Sequence, residues 1–150
     1  MEYIASIVRK LEKKGHFKDE KRFIQHGRIS VEEHSINVAR LSLKLSTALH
    51  LNVDKKALIR GALLHDYFLY DWHNKEKWHR FHGFRHPFFA MKNAIRDYRI
   101  TKKEANIIRS HMFPLIPLPP TSKEGWIVCI ADKISALHET LFKRKVTTIV

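Results

Sequence analysis

The chain has 150 residues, with 28 Lys+Arg against 15 Asp+Glu and a net charge of +13 at pH 7. A hydrophobic fraction of 44% excludes disorder, because that much apolar surface can offset the entropy of ordering the chain. The single cysteine, Cys129, excludes a disulfide scaffold and a cysteine-rich zinc module. Five glycines and five prolines argue against a turn-rich β sandwich, and the length suits one domain with its own core. Eleven histidines stand out, because histidine is the commonest metal ligand. The basic excess has two readings, steering of an anionic substrate or nucleic acid, or a well-solvated surface. No run reaches the roughly 18 apolar residues of a membrane span. Residues 1–15 carry charges throughout and no apolar signal core, so the expectation is a soluble cytoplasmic protein without membrane association.

In chain order, the first element is an amphipathic helix over about Ile4–Lys13. Its stripe of Ile4, Ile7, Val8 and Leu11 suits packing on the domain or a homodimer contact equally. Residues 1–29 are read as a helical extension packed on the domain, 30–142 as the domain, and 143–150 as a tail. Ser30 and Glu33 form a capping box that opens a helix to about Leu49, with Val38, Leu41, Leu45 and Ala48 or Leu49 as its apolar stripe. Asp54 caps a helix from Lys55 to about His65. Pro87 suits the first turn of a helix to Tyr98, where its missing N–H is not needed. Thr101 and Glu104 box a helix to about His111, and Thr121 and Glu124 box one to about Phe142. Prolines 114, 117, 119 and 120 stiffen the loop between these last two. No run alternates apolar and polar residues well enough for a strand, so the prediction is all-α, a compact helical bundle.

The unusual residues lie on the inner faces of these helices. His34 lies four residues before Val38 and points the same way. Leu58, Ala62 and His65 share a face, and Asp66 follows directly on an apolar run. His111 ends its helix on the side of Ile107 and Ile108, and Asp132 sits among Val128, Cys129 and Ala136. Taken singly, each has a structural reading as a hydrogen-bonded core residue. Taken together they need a cation, because buried carboxylates beside neutral imidazoles are costly unless a metal or an ion pair compensates them.

The ordered series His34, His65-Asp66, His86, His111 and Asp132, in VEEHSINVARL, ALLHDY, GFRHPFFA, IIRSHM and VCIADKISAL, resembles the HD-domain phosphohydrolase superfamily over about residues 30–142. It is similar to the six-ligand form, including the symmetrical diadenosine tetraphosphate hydrolases and other small bacterial HD phosphohydrolases. The resemblance implies that His34, His65, Asp66 and Asp132 hold one divalent ion, and that His86 and His111 hold a second, with Asp66 bridging. His82 competes with His86 for its position. His86 is preferred because Pro87 starts a helix immediately after it and fixes its direction, whereas His82 lies in a less regular stretch. Many two-metal members carry a phosphate-contacting lysine three residues after the aspartate, where this chain has Leu69. Lys133 or Arg85 would then supply the missing charge.

The implied activity is hydrolysis of a phosphoester or phosphoanhydride in a nucleotide or related small phosphorylated metabolite by metal-activated water. Asp66 and His65 are the catalytic candidates, beside Lys133 and Arg85. The mixed nitrogen and oxygen donors suit iron, manganese, cobalt or zinc better than calcium, with magnesium as a further choice. Between Asp71 and Phe89, basic residues interleave with Trp72, Trp78, Phe81, Phe84, Phe88 and Phe89. That pattern suits stacking of a base, or core and lid packing. The rival function is a basic HD-fold module that binds nucleic acid or a nucleotide signal without turnover.

Overall fold

The computed structural model describes residues 2–74 and 81–142. Trp78, His79 and the 143–150 tail therefore lie outside the described residues. Helix α1 (Glu2–Lys14) buries Ile4, Ile7 and Leu11 in the common core. Its end is tied down by two tyrosines. Tyr98 Oη donates to the Leu11 carbonyl at 3.1 Å and accepts from the Phe17 N–H at 3.0 Å, while Tyr67 Oη accepts from the His16 N–H at 2.8 Å. A Cβ at Gly15 would lie 2.6 Å from the Tyr98 ring, so this close approach requires glycine.

A 3₁₀ turn (Phe17–Arg22) leads into a hairpin of β1 (Ile24–His26) and β2 (Ile29–Ser30), paired antiparallel. The expectation of no strands is corrected here. Each strand is too short to show alternation. What makes the turn is Gly27 at φ +61°, the positive φ that a two-residue hairpin needs at its first central position.

Helix α2 (Val31–Ala48) begins as expected, with Ser30 Oγ accepting from the Glu33 N–H at 3.2 Å. Its buried face is displaced from the expected stripe. Ser35, Val38, Ala39, Ser42 and Ser46 are buried, while Leu41 and Leu45 are half-buried and Leu49 is exposed. Small side chains let α3 (Lys55–Leu64) and α6 (Lys123–Phe142) pack closely on α2, and the leucines flank the contact. Asp54 caps α3 by accepting from the Ala57 N–H at 3.0 Å.

Helix α4 (His82–Tyr98) starts a turn before Pro87, which is internal to it. The placement of Pro87 in the first turn is thus corrected. So near the N-terminus the proline forfeits only the bond to Gly83, and His86 Nδ1 ties the first turn by donating to the His82 carbonyl at 2.9 Å. Helix α5 (Lys102–Ser110) has the complete capping box of Thr101 and Glu104. At α6 the cap is Ser122, one residue later than expected, with its Oγ accepting from the Gly125 N–H at 3.1 Å. Glu124 serves tertiary structure instead, accepting from the Asp54 N–H at 2.7 Å and from Lys103 Nζ at 3.3 Å. The fold is all-α, with the hairpin as the sole sheet among the described residues. No described helix is long and apolar enough to cross a membrane.

Candidate metal centre

Four helix ends and one mid-helix residue converge on one point. His34 sits in the first turn of α2, His65 ends α3 with Asp66 beside it, His86 lies in the second turn of α4, His111 ends α5, and Asp132 lies midway along α6. All six are buried.

Asp66 is the hinge of the arrangement. Its Oδ2 lies 3.3 Å from His65 Nε2 and 3.7 Å from His34 Nε2. Its Oδ1 lies 3.1 Å from His86 Nε2 and 3.5 Å from His111 Nε2. Asp132 Oδ1 joins the first group, 3.0 Å from His34 Nε2 and 3.5 Å from His65 Nε2. The other ring nitrogen of each imidazole is already engaged. Nδ1 of His65 and of His111 each meets a carbonyl at 2.7 Å, that of Ala62 and of Ile108, and His86 Nδ1 meets that of His82. A carbonyl only accepts, so the proton of each neutral ring sits on Nδ1 and the Nε2 lone pair faces inward.

The donor set fits a cation. His86 Nε2 and His111 Nε2 face each other at 2.9 Å beside Asp66 Oδ1, an approach of three lone pairs that a positive charge between them relieves. His65 Nε2 and Asp66 Oδ1 are buried without a hydrogen-bond partner. Donor atoms of His34, His65 and Asp66, of His65, His111 and Asp132, and of Asp66, His86 and His111 lie within 4.8 Å of one another in each group. The sequence itself matches the family model of the HD domain over residues 31–137, which spans all six positions. The chain belongs to the HD-domain family. Members of this family are mostly metal-dependent hydrolases. Neither a curated protein nor a solved structure matches the chain significantly.

The electrostatics of this HD domain differ across Asp66. Burial opposes protonation of His34, but the hydrogen bonds to Asp132 and Glu139 outweigh it and lift its pKa to about 9. His65 is raised well above the usual histidine value, because Asp66 and Asp132 overcome its burial. Both aspartates are held far below the carboxylate range against the effect of burial, Asp66 by His65, His111 and His86 and Asp132 by His34 and His65. On the other side, burial pushes His111 down. Protons and a divalent ion therefore compete for the first group, whereas in the second His111 is held toward its neutral, ligating form.

Several residues of the site escaped the sequence reading. Glu139 Oε2 accepts from His34 Nδ1 at 2.8 Å, and Asn37 Nδ2 donates to Glu139 Oε1 at 3.1 Å. Glu139 lies two helical turns beyond Asp132, so its spacing on the same face was the available signal. Gln25 Nε2 donates to Asp66 Oδ2 at 2.5 Å, and its own Oε1 is buried without a partner. The His26 ring meets His34 edge-on at 5.4 Å. Both belong to the hairpin, which no sequence pattern announced.

The centre opens into a cleft of about 390 Å³ walled by Gln25, His26, Trp72, His82 and Met112. Trp72 stacks on His82 (4.9 Å, 9°), and His82 stacks on His86 (4.6 Å, 19°). His86 is grouped with donors that could hold an ion, whereas His82 is a wall residue whose Nδ1 meets Tyr70 Oη at 2.9 Å. Phe84 and Phe88 are exposed on α4 and Phe81 is exposed just before it, so the core reading of Phe81 and Phe88 is corrected, and Trp72 is half-buried at the cleft. Lys133 borders a hollow shared with Asp132, with its ammonium 2.9 Å from the His111 carbonyl and 3.4 Å from that of Cys129. Arg85 is exposed on α4 and is not among the residues that line the cleft. Leu69 has φ 58° and packs against the core, so it offers no counterpart to the family's lysine.

Proposed function

We propose that the chain is a phosphohydrolase of the six-ligand, two-ion type, acting on a nucleotide or related small phosphorylated metabolite. The carrying observation is the division of Asp66, one oxygen toward His34 and His65 and the other toward His86 and His111. His34, His65, Asp66 and Asp132 would hold the first ion, and Asp66, His86 and His111 the second. Bound there, divalent iron, manganese, cobalt, zinc or magnesium lowers the pKa of its water toward neutrality and screens the phosphoryl oxygens.

The chain's own groups supply placement. Asp66 is fixed from both sides, and the backbone carbonyls behind His65, His86 and His111 hold those rings in one orientation. Gln25 Oε1 is an acceptor in the cleft wall, placed to orient a water or a substrate hydroxyl. Trp72 and His82 offer a stacked aromatic wall for a planar base, which supports a nucleotide over an aliphatic phosphate. Lys133 places positive charge beside Asp132, and Arg85 adds to the basic field outside the cleft. With Leu69 turned to the core, the reading leaves the phosphate contact of the lysine-bearing members unfilled and stays at the level of a substrate class.

The rival, an HD module that binds without turnover, draws on the +13 charge. The test is protein purified without chelator, analysed for bound metal and assayed against a nucleotide panel. Two ions per chain and release of phosphate or a cleaved nucleotide are expected. No metal uptake and no hydrolysis under any supplement would overturn the proposal. Saturable nucleotide binding without turnover, falling steeply with salt, would favour the rival.

A further inference from the structure

Helix α6 presents two opposite faces. Val128, Asp132, Ser135 and Glu139 point into the fold. Trp126, Ile130, Ile134, Leu137 and Leu141 form a stripe on the other side, each between 42% and 61% exposed. Their spacings of four, four, three and four residues keep one ridge along about 22 Å of helix. Charge is missing from this ridge in a chain of net +13. From Ile134 to Phe142 there is no Lys or Arg, and Glu139 is turned inward. Lys133, at the edge, has its ammonium folded back onto the carbonyls of His111 and Cys129.

We propose that this face of α6 is the interface of a homodimer, pairing antiparallel with α6 of a second copy about a two-fold axis near Ile134. Three observations choose a second copy as the occupant. The stripe is nearly palindromic about residues 133–134, so Trp126 meets the partner's Leu141, Ile130 meets the partner's Leu137, and Ile134 lies beside the axis, within one residue of its own equivalent, as an isologous contact requires. Two copies of like charge can approach only where charge is absent, and charge depletion is the mark of an interface core. The area also reaches the needed size. At roughly 100 Å² for each half-exposed large side chain, the five offer about 500 Å² per copy, so that a pair buries about 1,000 Å², the size at which a specific interface begins and near the top of what monomers expose. A nucleic acid would need basic residues here, and the stripe offers none. The cleft and the ligands lie across the helix from this face, so pairing leaves the centre open.

The experiment is the solution mass of the full chain by light scattering and sedimentation across micromolar concentrations. A mass about twice the 17.8 kDa of the chain is expected. Raising salt should hold or strengthen the dimer, because it screens repulsion between two +13 copies without touching apolar contact. Leu137→Glu should give a monomer with unchanged helical circular dichroism and metal content, whereas Ile95→Glu, at an exposed apolar residue of α4, should stay dimeric. Ile134→Cys should cross-link between copies on mild oxidation, because native Cys129 is buried. A monomer at every concentration overturns the proposal. So does a dimer indifferent to Leu137→Glu, one that dissociates as salt rises, or one without a cross-link at residue 134.

Discussion

The two halves of the metal centre are built on opposite principles. On the Oδ2 side of Asp66, α2, α3 and α6 bring two histidines and two carboxylates together, with Glu139 behind His34. On the Oδ1 side, α4 and α5 bring two histidines whose Nδ1 protons go to neutral carbonyls. The first half carries enough negative charge to raise its imidazoles, and the second leaves His111 below the ordinary value. On the proposed two-ion reading, charge would hold an ion in the first half, while geometry and lone pairs would hold one in the second, beside the open cleft. The first ion should bind more tightly and exchange more slowly.

The largest break in this comparison is Asp66→Ala. It removes the one residue common to both halves, so metal analysis should find both ions lost and turnover abolished. Retention of two ions would end the bridging assignment. A matched pair separates the halves. Asp132→Ala should cost the tighter ion, and His86→Ala only the weaker one, so metal titration should show one remaining site of high affinity in His86→Ala and one of low affinity in Asp132→Ala. Equal affinities in the two variants would remove the distinction.

A smaller effect follows from Glu139→Gln. The amide keeps an acceptor for His34 Nδ1 but removes the charge, and such partners behind a ligand are worth about 10–100-fold in metal affinity. Competition with a chromophoric chelator should show that loss at the tighter site alone, and an equal loss at both would mean general loosening. The smallest effect is with pH. The His34 pKa is raised from 6.5 to about 9, so its proton stabilises chelator-treated protein fully below about pH 6.5, and this is lost as pH rises through 9. His65 acts in the same direction. The melting temperature of chelated protein should fall by a few degrees over that interval, while metal affinity rises as the protons leave. A melting temperature independent of pH there would refute the competition between proton and ion.

How much was legible follows from how far each signal reaches along the chain. Caps at Ser30, Asp54 and Thr101 act over three residues, so α2, α3 and α5 began where expected. Glu124 looked like the same kind of cap but is spent on the backbone of Asp54 and on Lys103, about 70 and 21 residues away in sequence. Pro87 looked like a helix start, yet α4 gains a turn before it, within which His86 folds onto the His82 carbonyl. The six candidate ligands were visible because their types recur in a familiar order. Gln25 and Glu139 were not, because their roles exist only through contacts spanning 41 and 105 residues.

By itself, the sequence determined the helical class, the family pattern and the inward course of the six candidate ligands. All of these follow from periodicity, capping and residue type, which act over a few residues. Tertiary structure alone decided which oxygen of Asp66 faces which histidines, that Glu139 rather than solvent stands behind His34, and that the stripe on α6 stays uncovered among the described residues. These depend on how helices distant in sequence pack, and packing energy is set by the whole arrangement rather than by any one segment.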